Sequence, residues 1–237
     1  VSEKTAQKLT GLSSGASSTV NPAQESTAGR EYWDRTAGQK TFTLGLDMDS
    51  LRKWLSGPGD AILDCGCGYG RILLELREKG FSCLSGCDIS PALLALAASD
   101  LPGVDLRLVT DDKLPFADSS FDALILLAVL TAVPGDAEQI RLVSEIRRVL
   151  RVGGIIYAGD FLLNYDDRNL RRYGGSRPNG FPYGVFTLPD GAVLRHHEPE
   201  WIDSLFSGFE RLSMERVEHV TMNGHRANGF RLICRKN

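Results

Sequence analysis

The chain has 237 residues, of which 42% are apolar and 24% charged: enough to bury a full α/β core, and only slightly long for one domain. A formal charge of -3 supplies no global field to draw in a polyanion, which disfavours nucleic acid as a partner. No apolar run nears the ~18 residues of a membrane span, no apolar signal core is visible at the start, and five cysteines are an odd number for a disulfide framework, so a reducing cytoplasmic setting is the expectation.

Residues 1–29 are rich in Ser, Thr, Ala and Gly, a composition that buries little and reads as a flexible tail or lid ahead of a single domain over 30–237. Tyr32, Trp33, Phe42, Leu44, Leu46 and Met48 then supply apolar mass before a short helix at Asp49 to Leu55, ended by Gly57-Pro58-Gly59. Ala61 to Asp64 reads as a buried strand, Arg71 to Lys79 as a helix, and Phe81 to Cys87 as a second strand. Ser90-Pro91 starts the next helix, with Ser90 as cap and Pro91 in the first turn, where its missing N–H costs nothing. Val104 to Val109, Phe121 to Leu127 and Ile155 to Asp160 are further strands. The last follows an amphipathic helix at Asp136 to Leu150 whose Ile140, Val143, Ile146 and Leu150 share one face.

This alternation predicts a Rossmann-like, doubly wound α/β fold with a mostly parallel seven-stranded sheet. A helix at Pro199 to Phe206 and two extended runs joined through Asn223-Gly224 predict that the sheet finishes with an antiparallel C-terminal hairpin strand. Ligands of such sheets bind beyond the carboxyl ends of the strands.

The stretch Leu63-Asp64-Cys65-Gly66-Cys67-Gly68-Tyr69-Gly70-Arg71 lies at such an end. Asp64 would repel a pyrophosphate and attract an ammonium group. Arg71 stands where a dinucleotide fingerprint needs a small residue, which argues against a nicotinamide-dependent oxidoreductase. Asp88 follows the second strand at a spacing suited to ribose hydroxyls, and Asp111-Asp112 follows the third, where one carboxylate can take the amine of adenine or simply belong to a solvated turn. Cys65, Cys67 and Cys87 lie near one another, but small buried cysteines are common and no metal is expected.

With these residues the chain resembles a class I S-adenosylmethionine-dependent methyltransferase of the "methyltransferase 11" type. The likeness also takes in Cys87-Asp88-Ile89-Ser90, Leu114-Pro115-Phe116-Ala117-Asp118-Ser119-Ser120-Phe121-Asp122 and Glu145 through Gly154. The resemblance implies S-adenosylmethionine as cofactor and S-adenosylhomocysteine as product. It implies that Asp64, Gly66, Cys67 and Gly68 hold the methionine end, and Asp88, Ile89 and Ser90 the ribose. Asp111 and Asp112 would hold adenine, Leu127 and Ala128 would form the floor, and Trp33 would belong to a cover, with core packing an equal alternative for it. Thr110 and Asp112 depart from the glycine and alanine usual in relatives.

The segment 160–197 falls where such enzymes place contacts to the methyl acceptor. It carries Tyr165, Arg168, Arg171, Arg172, Tyr173, Arg177, Tyr183, Arg195, His196 and His197, with most of the arginines expected in a solvated loop. His196 or His197 is the candidate to face the acceptor, as a base or an orienting group. A small molecule is the expected acceptor. A protein that binds the cofactor without catalysis would carry the same binding residues, and oligomeric state is not legible.

Overall fold

The computed structural model describes residues 22–175 and 181–237. Residues 1–21 of the expected tail, and Arg177, lie outside the described residues. Five strands run parallel: β1 (Ile62–Cys65), β2 (Leu84–Asp88), β3 (Asp105–Leu108), β4 (Phe121–Leu127) and β5 (Leu150–Phe161). A short two-stranded ribbon, β6 (Val185–Thr187) with β7 (Val193–Arg195), stands apart from the main sheet. The C-terminal hairpin of β8 (Glu210–Val220) and β9 (Arg226–Arg235) folds back so that β9 abuts β5 antiparallel, giving the order β3-β2-β1-β4-β5-β9-β8. The expected seven-stranded, mostly parallel sheet with its antiparallel strand is thus present.

Period-two alternation sorts the strand residues into two cores. Leu63, Leu124, Leu126, Ile156, Ala158 and Leu232 point to one face, and Ile62, Ala123, Ile125, Ile155, Tyr157 and Ile233 to the other. On the first face pack α5 (Asp136–Val149) and α7 (Pro199–Leu205). The second is covered by α2 (Met48–Arg52) and α3 (Arg71–Glu78), whose Ile72, Leu73 and Leu76 are buried. Each fully buried Leu or Ile contributes about 1.5–3 kcal/mol, so the doubly covered sheet fixes the frame on which the strand ends are held.

Ser90 caps α4 (Pro91–Asp100) as expected, accepting from the Leu93 N–H at 3.1 Å. Three readings differ in the structure. The boundary expected at 29/30 falls inside α1 (Pro22–Thr36), a helix in which Tyr32 is buried. On α5, Val143, Ile146 and Leu150 are buried but Ile140 is 55% exposed, because the apolar face is narrower than a run of apolar letters suggests and Gln139 takes the inward place. The segment expected as a solvated basic loop contains α6 (Asp167–Gly174) and the β6–β7 ribbon, and its Arg195 is buried against Asp136 at 2.6 Å and the Trp201 ring. Among the described residues no helix is long and apolar enough to cross a membrane.

Candidate active site

The ends of β1, β2, β4 and β5 bring Asp64, Asp88, Leu127 and Phe161 to one cavity of about 560 Å³. Beyond β1 the backbone turns through left-handed conformations at Gly66 (φ 77°) and Gly68 (φ 55°). A Cβ at Gly66 would strike the Val129 side chain, and one at Gly68 the Phe42 ring, so the turn needs glycine for space as well as for backbone angle.

Asp64 is 3% exposed, and its Oδ2 is enclosed without a hydrogen-bond partner. Burial, followed by the charge of Asp88, pushes its carboxyl up to about 7, with Arg71 opposing. An orphaned buried carboxylate costs several kcal/mol unless a cation answers it. Asp88 is differently placed: its Oδ2 accepts from the Gly68 N–H at 2.8 Å and its Oδ1 from the Ser90 N–H at 2.9 Å. Burial raises its carboxyl, and these N–H groups act against that rise. Arg71 lines the same space, with its guanidinium donating to the Leu44 carbonyl and its Nε enclosed and unpartnered.

Past β3, Asp111 and Asp112 reach the cavity rim. Asp112 faces Arg141 at 3.5 Å, whereas Asp111 is engaged through Oδ1 alone, by the Lys113 N–H at 2.9 Å. The floor holds Leu127 and Ala128, the latter at φ 55°, a left-handed angle uncommon for a residue with a Cβ.

The cover is built from α1 and the segment behind it. Trp33 packs edge-on against Phe42 with centroids 5.9 Å apart, and Phe42 stacks on Tyr69 at 4.9 Å. Lys40 Nζ donates to the Asp190 carboxylate at 2.7 Å and to the Tyr32 hydroxyl at 2.6 Å, and that hydroxyl donates to Asp190 at 3.1 Å. Asp190 lies between β6 and β7, so this cluster ties the cover to the ribbon. Its bonds are partly exposed, worth about 1 kcal/mol together. Asp190→Ala is therefore expected to speed amide exchange in α1 and residues 37–44 roughly fivefold, read by hydrogen-exchange mass spectrometry, without moving β1 or β4.

At the opposite end the walls are Phe161, Phe186, Leu188 and Leu194. His196, 5% exposed, lines this end, stacked on Phe161 at 5.5 Å and edge-on to Phe186 at 5.0 Å. Its Nδ1 lies 2.6 Å from the Tyr173 hydroxyl, which also accepts from the Asn164 N–H at 3.1 Å. One proton therefore bridges Tyr173 Oη and His196 Nδ1, donated by either partner according to the ring tautomer. Burial, with Arg172 and Arg168 nearby, holds the imidazole down to about 3, so it stays neutral. The tip of the β8–β9 hairpin, with Thr221, Met222 and His225, closes the remaining side.

The chain matches a family described as a methyltransferase domain over residues 63–158. A solved S-adenosylmethionine-dependent methyltransferase from Methanosarcina mazei is 31% identical, covers 81% of this chain and 99% of its own, and superposes with a TM-score of 0.74. The chain belongs to the S-adenosylmethionine-dependent methyltransferases. Among curated methyltransferase relatives, a demethylmenaquinone methyltransferase from Beutenbergia cavernae is 35% identical over 51% of this chain and 50% of its own length. A protein from Bos taurus described as a probable tRNA methyltransferase 9B is 34% identical over 41% of this chain and 20% of its own. The chain therefore spans half or less of these curated relatives.

Against this methyltransferase frame, the cavity brings together Trp33, Asp64, Gly66, Cys67, Asp88, Ile89, Asp111, Asp112, Leu127, Ala128 and His196 of the expected site. Three expected contacts stand elsewhere. Gly68 and Ser90 do not line the cavity: the Gly68 N–H is held by Asp88, and the Ser90 hydroxyl caps α4 and donates to Asp34 at 2.5 Å. His197 is fully buried behind the wall, its Nδ1 donating to the Phe161 carbonyl at 3.1 Å and its Nε2 accepting from Gln139 at 2.8 Å. It fastens α5 to the end of β5 and does not line the cavity. Arg71, Val129 and the hairpin tip line the cavity without having been expected there, and for Arg71 a cation at the start of the helix after Asp64 is the signal the sequence carries. Among the described residues no group of three His, Cys, Asp or Glu side chains is arranged to hold a metal ion.

Proposed function

We propose that this protein transfers a methyl group from S-adenosylmethionine to a small-molecule acceptor held in the same cavity. The observation that carries the reading is the orphaned Asp64 carboxylate, enclosed beside a glycine cradle where a cation is the missing partner. Asp64 takes the ammonium of the methionine end, and Arg71, with an idle Nε, takes its carboxylate. Asp88 keeps its two backbone N–H groups and offers its remaining lone pairs to the ribose hydroxyls. Asp111 serves the adenine amine better than Asp112, which already faces Arg141. Ile89, Leu127 and Ala128 pack against the nucleoside, and Trp33 covers it.

When bound, the cofactor supplies a methyl group already activated by its sulfonium. The chain's part is to orient the acceptor in line with the methyl group and to exclude water. Alignment of this kind contributes up to roughly 7–11 kcal/mol to lowering a barrier. Leu44, Phe161 and the cover keep the cavity dry. His196 positions rather than deprotonates, since burial holds its imidazole down to about 3, which makes it a weak base, and its Nδ1 is engaged by Tyr173.

A small acceptor is favoured over a macromolecule by the roofing of the cavity from three sides, by α1, the ribbon and the hairpin tip, and by the acidic charge balance. The test uses radiolabelled methyl donor with fractionated extracts. Label is expected in a low-mass organic fraction, and label confined to RNA or protein would overturn the small-molecule reading. Cofactor binding with no transfer to any fraction would favour a sensor.

A further inference from the structure

Resting on the reading just given, the acceptor end of the cavity carries more chemistry than an apolar slot requires. Arg168 and Arg172 sit one turn apart on α6, and both line it. Among the described residues the Arg168 Nη1 is enclosed without a partner, and the Asp166 carboxylate lies 3.8 Å from its Nε while capping α6 through the Asn169 N–H and side chain. Arg172 lies over the Phe186 ring at 5.3 Å, with one long bond to the Asn169 side chain at 3.4 Å. Of the two guanidinium groups only that of Arg168 comes within 4 Å of a carboxylate among the described residues, and Asn169 already holds that carboxylate. Phe186 links Arg172 to His196, whose Nε2 makes no hydrogen bond among the described residues. The enclosed, idle Arg168 Nη1, in a wall of aromatic rings, is answered best by an anion.

We propose that Arg168, Arg172 and the Nε2–H of His196 form an anion-reading subsite that selects an acceptor with an apolar body bearing a carboxylate. Phe161, Phe186 and Leu194 take the body, and the guanidinium pair takes the carboxylate. Tyr173 is a positioning residue: by donating to Nδ1 it keeps the imidazole proton on the cavity side, where it serves as a third donor. Without it the ring is free to turn its lone pair toward the carboxylate.

The test is calorimetry on the full chain saturated with S-adenosylhomocysteine, using benzoate, 2-naphthoate and octanoate, each against its primary amide. At least one acid is expected to bind roughly tenfold or more tighter than its amide, as charge-assisted bonds imply. Arg168→Gln with Arg172→Gln is expected to erase that preference while S-adenosylhomocysteine still binds. Equal affinities for acids and amides, binding of neither, or a preference that survives the double substitution would overturn the subsite. Loss of S-adenosylhomocysteine binding by the unaltered protein would instead count against the cofactor reading. Nitrogen-15 spectra of histidine-labelled protein are expected to show a hydrogen-bonded acceptor Nδ1 and a protonated Nε2 at His196, and Tyr173→Phe is expected to mix the two tautomers. A protonated Nδ1 in the unaltered protein would remove the third donor.

Discussion

Asp64→Asn is expected to make the ligand-free protein more stable and to abolish cofactor binding. Asp64 is enclosed, and burial together with the Asp88 charge raises its carboxyl to about 7. The raised value stabilises the fold fully below the unfolded carboxyl range near pH 4, and that contribution is lost as pH rises through 7. Three units correspond to about 4 kcal/mol, and a buried, unpartnered amide returns about 1–3 kcal/mol of that. The net gain of Asp64→Asn is then about 1–3 kcal/mol at pH 8 by urea unfolding, with no gain at pH 4. Asp160, also raised to about 7 by burial, keeps its own share of the pH slope in the variant. In the unaltered protein the incoming ammonium must find the carboxylate ionised. Cofactor affinity should therefore weaken below pH 7, approaching tenfold per pH unit. A variant that binds S-adenosylmethionine like the parent would sink the assignment of Asp64.

Asp88→Ala is expected to damage both the fold and the site. Its carboxylate holds the Gly68 and Ser90 N–H groups, one from the glycine turn and one from the start of α4. Two buried donors left without acceptors cost about 1–3 kcal/mol each. A loss of about 2–5 kcal/mol in urea unfolding should accompany at least ~100-fold weaker cofactor binding. Asp88→Asn keeps one acceptor oxygen and should fall between, with a smaller stability loss. If Asp88→Ala lost affinity at unchanged stability, the carboxylate would be a ligand group alone and its bracing role would be wrong.

The parts of the site legible in the sequence are those whose chemistry is local. A strand, a glycine turn and an acid at its mouth lie within Ile62 to Gly70, and a capped helix follows Asp88, so their positions at the strand ends are legible in the sequence. The acceptor side was not legible in this way. α6 carries only Leu170 and Tyr173 as large apolar residues, and Leu170 is 41% exposed, leaving no periodic stripe to reveal the helix. His196 and His197 are neighbours on an extended segment leaving β7, where consecutive side chains face opposite ways. One meets the cavity and the other the interior, a division decided by register with β5 and not by residue type. Gly68 and Ser90 follow the same logic: their polar groups are consumed in shaping Asp88, which requires knowing the distances.

The Lys40–Tyr32–Asp190 cluster has a kinetic corollary. Because it joins the cover to the ribbon through bonds worth about 1 kcal/mol, opening of one should raise the odds of the other opening roughly fivefold. Fluctuations at the two ends of the cavity should then be correlated in time.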